Sequence, residues 1–291
     1  MSTSPLRFSP TRPDNAEASS KTPTYQVEKN RLISELFISC IAEITCGAAL
    51  TAISSPFIIP AGLSFFRRFN ISILAANVLL KTSTTYLVCL NLQFDESNPQ
   101  NIETKKGIRA ISETLQWIVP FNFALLFNAT AGVLVHERGH AFAASLVYSN
   151  PQPRISIQYI FEGSTTFINR GLSTIGKSLG ADKAKLLVVA AGPAAAASMA
   201  SMAILSAIGI QKSHITVSKY LYFSSFFALV YHVKYALSAL TASRGDLDHD
   251  FVQLWRGGIH PIIAAGAMVT LPLFTSLLFM KVKKYFYDSE S

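Results

Sequence analysis

The chain has 291 residues, of which 50% are hydrophobic and only 14% charged, against about 25% charged in an ordinary soluble domain. With a mean hydropathy of +0.34, this composition excludes a soluble globule and predicts a polytopic membrane protein whose length divides into spans. The net charge, 25 − 17 = +8, is accounted for by Lys and Arg in short loops beside anionic headgroups, so a lipid bilayer is an expected partner and nucleic acid is not. Cys40, Cys46 and Cys89 lie in apolar stretches without paired spacing, which excludes a disulfide framework or a CxxC metal site.

In chain order, residues 1–31 are rich in Ser, Thr and Pro and predict a disordered polar tail without the apolar core of a cleaved signal peptide. Residues 32–92 predict a helical hairpin of two spans, Leu32–Phe66 and Phe69–Leu92, turning at Arg67-Arg68. Each span carries one charge at depth. Glu43 lies ten residues after Ile33 and Lys81 eleven before Leu92, so both sit roughly 15–16 Å along their helices and an ion pair within the bilayer is expected.

The third span, Thr114–Val135, is 22 residues without a charge and runs directly into His136-Glu137-Arg138-Gly139-His140. Residues 154–168 alternate apolar and polar and predict a small membrane-associated β-hairpin. Span four, Leu186–Gln211, contains Gly192-Pro193 and a run of Ala and Ser that lets helices approach closely. Span five, Tyr220–Ala242, is interrupted by His232 and Lys234 and ends in the acidic stretch 243–250. A final span over 257–280 precedes a basic tail, 281–291. The expected fold is therefore an all-α polytopic membrane protein of about six transmembrane helices, with a core at 114–256.

HExxH carries the chemistry. On a helix, positions i and i+4 share a face, so His136 and His140 can give two imidazole nitrogens to one Zn2+, and Glu137 can act as general base toward a water at the metal. A catalytic zinc takes three protein ligands. Asp246, Asp248 and Asp250 lie within five residues after span five, and spans three and five leave the bilayer on the same side because one span separates them. His232 and His249 are rival third ligands.

HERGH at a helix end, Gly-Pro in the next span and an Asp-containing segment after span five resemble the site-2 protease family of intramembrane zinc metalloproteases. In that family the third ligand lies in a Leu-Asp-Gly segment. Here Leu247-Asp248-His249 matches Leu-Asp and departs at Gly, and no Asn-Pro precedes it. The resemblance implies Asp248 as the third ligand with Asp250 as second choice, and hydrolysis of peptide bonds in transmembrane or membrane-anchored protein substrates. It also implies a hairpin edge able to pair with an extended substrate. Two other readings compete with this multi-pass zinc endopeptidase: a transporter lined by Glu43, Lys81, His232 and Lys234, and a catalytically silent membrane scaffold.

Overall fold

The computed structural model describes residues 16–58, 60–93, 99–159, 162–243, 245–246 and 248–287. The helices are α1 (Ala16–Ser54), α2 (Pro60–Gln93), α3 (Pro99–Phe127), α4 (Val133–Val147), α5 (Thr174–Leu179), α6 (Ala181–Ile210), α7 (Ile215–Ser238), α8 (Asp250–Arg256) and α9 (Pro261–Tyr287), with strands β1 (Arg154–Tyr159) and β2 (Glu162–Thr166) between α4 and α5. The fold is all-α with one two-stranded antiparallel sheet. Among the described residues, five helical stretches are long and apolar enough to cross a membrane: Gln26–Phe57, Arg67–Gln93, Asn101–Val147, Ala181–Ile210 and Pro261–Tyr285.

Three expectations are corrected. Residues 16–31 belong to α1 rather than to a disordered tail, and residues 1–15 lie outside the described residues. Helix-spaced charges support this extension: Arg31 pairs with Glu28 and, at 3.7 Å, with Glu35. The turn of the first hairpin falls at Ser55–Ile58, which contains Pro56 and precedes Pro60, and Arg67-Arg68 lie within α2. Both prolines stand at the start of a helical segment, where the missing N–H is one that a helix's first turn leaves unpaired anyway. Of the six expected spans, span five, Tyr220–Ala242, corresponds to α7, which is not among these membrane-crossing stretches. Its polar Ser218, Ser224, Ser225 and His232 are buried by protein, among α3, α6 and α9, rather than turned to lipid.

Glu43 and Lys81 meet as expected: Lys81 Nζ lies 2.6 Å from Glu43 Oε2, with both side chains largely buried. The pair is furnished with further partners, Lys81 donating to Ser39 Oγ at 2.8 Å and Asn77 Nδ2 donating to Glu43 Oε1 at 2.8 Å. Removing one member of a buried pair leaves the other charge uncompensated, at about 3–5 kcal/mol. Glu43→Gln and Lys81→Met are therefore each expected to lower thermal stability in detergent, and the double variant to recover most of the loss. A double variant as damaged as the sum of the singles refutes the coupling.

The elements that carry the HExxH motif form one long rod. α3 runs into a single π-helical turn, Asn128–Gly132, and then into α4. The extra residue in a π turn changes the direction in which the side chains of α4 point. Asn128 holds the turn in place by donating Nδ2 to the Ala124 carbonyl at 2.8 Å and across to the Ser224 carbonyl of α7 at 3.0 Å. α4 lies against α6, and α6 against α7. The approach of α4 to α6 is close because Gly139 faces Ala191, where an added Cβ would stand 2.3 Å from the Ala191 carbonyl oxygen. The hairpin pairs Arg154 with Thr166 through Ile157 with Gly163, and Ile58 bridges Ile157 on the far side of β1. Ile58, Ile157, Val133 and Leu134 close a small apolar cluster that presses the sheet onto α4 one turn ahead of His136.

Candidate metal and active site

His136 and His140 lie one turn apart on α4 and, with Glu137, are buried at 8%, 8% and 5% exposure. The third member is Asp250, the first residue of α8. His136 Nε2 is 2.9 Å from Asp250 Oδ2, His140 Nε2 is 3.4 Å from the same oxygen, and the two Nε2 atoms are 3.1 Å apart. Ligand atoms about 2.05 Å from a tetrahedral ion stand about 3.3 Å from one another, so these three atoms have the spacing of three vertices of one tetrahedron. His140 Nδ1–H donates to the Val188 carbonyl at 2.8 Å, which fixes the tautomer and leaves Nε2 with its lone pair toward the cluster. Nitrogen lone pairs and a carboxylate oxygen converging on one point are stabilised by a cation, and His136, His140 and Asp250 form a group able to hold a metal ion.

Asp248 does not join them, which corrects the order expected from the Leu-Asp match. It is exposed, with its backbone N–H turned back to Asp246 Oδ1 at 3.1 Å in a local turn, and Leu247 lies outside the described residues. The selection of Asp250 is a packing result. Phe251, Val252 and Leu254 are buried against Val189, Ala236, Ala239, Ala264 and Ala265, and this drags the start of α8 inward. The Asp250 N–H donates to the Tyr235 hydroxyl at 3.2 Å, and His249 stacks on the Tyr235 ring at 4.3 Å while its Nε2 meets Ser238 Oγ at 3.0 Å. His249 is thereby turned away from the cluster. Burial alone would raise the Asp250 carboxyl, but hydrogen bonds and charge from His136 and His140 outweigh it and hold the group below the usual carboxylate range.

Glu137 faces the hairpin. Thr165 Oγ1 donates to Glu137 Oε2 at 2.8 Å and to the Glu137 carbonyl at 2.9 Å. Gly163 lets β2 press this close, because a Cβ there would stand 2.7 Å from Glu137 Cγ. The cluster, Glu137 and β2 together line a cavity of about 750 Å³ bounded on its other side by Tyr231, His232 and Tyr235. Thr165, Gly163, Tyr235 and the Val188 carbonyl belong to no motif in the sequence. Of these only Tyr235 has a linear signal, three residues after His232 on the same helical face.

Gly192 and Pro193 have a local role beyond close packing. Pro193 offers no N–H to the Val189 carbonyl, loosening the helical turn that presents the neighbouring Val188 carbonyl to His140. A Cβ at Gly192 would stand 2.2 Å from His140 Nε2. Gly192→Ala and Gly139→Ala are expected to cost about 1–3 kcal/mol through overpacking, the first also displacing His140. Gly209→Ala, in the same helix as Gly192 with nothing within 4 Å of the added Cβ, serves as control, and equal melting temperatures for all three would contradict the packing argument.

Comparison with protein families, with characterised proteins and with solved structures returns no match.

Proposed function

We propose that this chain is a membrane-embedded, zinc-dependent endopeptidase of the site-2 protease type, acting on transmembrane or membrane-anchored protein substrates. One observation carries the reading: two imidazole nitrogens and one carboxylate oxygen stand at tetrahedral spacing, with the Glu137 carboxyl one helical residue along in the same cavity. Two histidines, one carboxylate and an open fourth position suit zinc. Zinc, when bound there, would lower the pKa of a water and draw electron density from a carbonyl oxygen.

The chain's own residues do the rest. Glu137 takes a proton from water as the water oxygen bonds to the peptide carbonyl carbon, and returns it to the nitrogen as the C–N bond breaks. One water is consumed, and the products are a carboxylic acid and an amine, which at neutral pH exchange a proton to carboxylate and ammonium. Thr165 orients the Glu137 carboxyl, leaving Oε1 for the proton. β1's outer edge is occupied by the bridge to Ile58, whereas β2 borders the cavity, so an extended, locally unwound substrate segment would pair with β2. The transporter reading loses its main support because Glu43 and Lys81 neutralise one another. The scaffold reading differs only in turnover, so cleavage of a transmembrane peptide in proteoliposomes by wild type and Glu137→Gln, alongside metal analysis, separates them.

A further inference from the structure

One buried histidine remains once the three candidate ligands are placed. His232, on α7, is 6% exposed and lines the cavity with its ring stacked on that of His136, centroids 5.3 Å apart and planes 11° from parallel. His232 does not belong to the group of ligand atoms that lie within 4.8 Å of one another, so it is not a ligand in this arrangement. Its Nδ1 is buried without a hydrogen-bond partner among the described residues. With Nδ1 enclosed and unpartnered, Nε2 is the ring nitrogen left to meet a molecule in the cavity, and in the Nε2–H tautomer it carries the ring's hydrogen. That N–H is the donor available to a molecule in the cavity.

Resting on the endopeptidase reading, we propose that His232 is a further catalytic residue, whose Nε2–H donates a hydrogen bond to the substrate carbonyl oxygen as negative charge develops there. As the water oxygen bonds to the carbonyl carbon, the carbonyl π pair moves onto that oxygen and strengthens the hydrogen bond. When the pair returns and the C–N bond breaks, Glu137 delivers the proton to nitrogen, and His232 ends as it began. A fixed donor in a partly desolvated site stabilises this charge more than it stabilises the neutral carbonyl of bound substrate.

The test uses His232→Phe, which keeps a planar ring for the stack on His136 and removes the donor, and His232→Gln, which restores an N–H. With zinc content equal to wild type, His232→Phe is expected to lower kcat about 10²–10³-fold at a KM within a few-fold, as loss of one such donor does elsewhere. His232→Gln should recover part of it. A second readout needs no turnover: a phosphinic peptide, whose tetrahedral anion imitates the charged oxygen, should bind zinc-loaded His232→Phe at least tenfold more weakly than wild type. Wild-type kcat and phosphinate affinity in zinc-replete His232→Phe overturn this inference alone. Loss of zinc from His232→Phe also overturns it, by making the ring a positioning residue for His136. A zinc-loaded wild type that neither cleaves a transmembrane peptide nor binds the phosphinate overturns the endopeptidase reading with it.

Discussion

Glu137→Gln is expected to keep its full metal content and to lose peptide cleavage by about 10²–10⁴-fold, the range that a positioned general base supplies. The amide has nearly the shape of the carboxylate, and its oxygen still accepts the hydrogen bond that Thr165 gives to Oε2. What it lacks is the capacity to take a proton from water at neutral pH. The fold should not register the change, because Gln has nearly the volume of Glu and fits the same space beside Gly163. Metal content is measured on the purified protein and cleavage in proteoliposomes at equal protein concentration. Turnover within a few-fold of wild type would assign the proton to another group and remove the peptidase mechanism. Gly163→Ala supplies a graded companion: its Cβ would crowd Glu137 Cγ and Val133 Cγ1 at 2.7 and 2.8 Å, so activity should fall with metal retained.

The second large effect concerns the metal. About one zinc per chain is expected, since two histidines and one carboxylate make one site, and His136→Ala, His140→Ala and Asp250→Asn should each empty it under conditions that saturate wild type, whereas Asp248→Asn should retain it. Both aspartates line the same cavity, but of the two only Asp250 belongs to the group that could hold a metal ion. Asp250 Oδ2 is within 3.4 Å of both histidine nitrogens, while Asp248 is exposed and engaged only through a local turn. Between ligand loss and retention lies Tyr235→Phe, which removes the acceptor for the Asp250 N–H. Loss of such an outer contact commonly costs 10–100-fold in metal affinity. Metal titration of the apoprotein reads all five variants on one scale. If Asp248→Asn releases the metal while Asp250→Asn holds it, the inward packing of α8 through Phe251 and Val252 is not what forms the site.

The sequence by itself determined the helical, membrane-directed character of the chain, the hairpin at 154–168 and the two-histidine turn. Each comes from a local rule: uncharged runs of about twenty residues, period-two alternation, and the i, i+4 geometry of a helix. The Glu43–Lys81 pair was legible for the same reason, since depth along two antiparallel helices is simple arithmetic at about 1.5 Å per residue. Local rules were weaker at boundaries. Residues 16–31 read as a polar tail yet extend α1, because polar composition does not oppose a helix whose charges sit three and four apart. The segment of α7 read as a transmembrane span, yet it is not among the membrane-crossing stretches, and its Ser218, Ser224, Ser225 and His232 are buried among neighbouring helices.

Only the tertiary structure decided which aspartate completes the candidate metal group. In linear sequence the Leu-Asp match favoured Asp248, and the choice falls to Asp250 because burial of Phe251 and Val252 against α6, α7 and α9 carries that backbone to the histidines. The same holds for Thr165 on Glu137, the Val188 carbonyl on His140 and the stack of His232 on His136, contacts spanning 28, 48 and 96 residues of chain. No periodicity encodes such separations. They exist because Gly139, Gly163 and Gly192 each omit a side chain where two backbone elements, or a backbone and a candidate site residue, must come within contact distance.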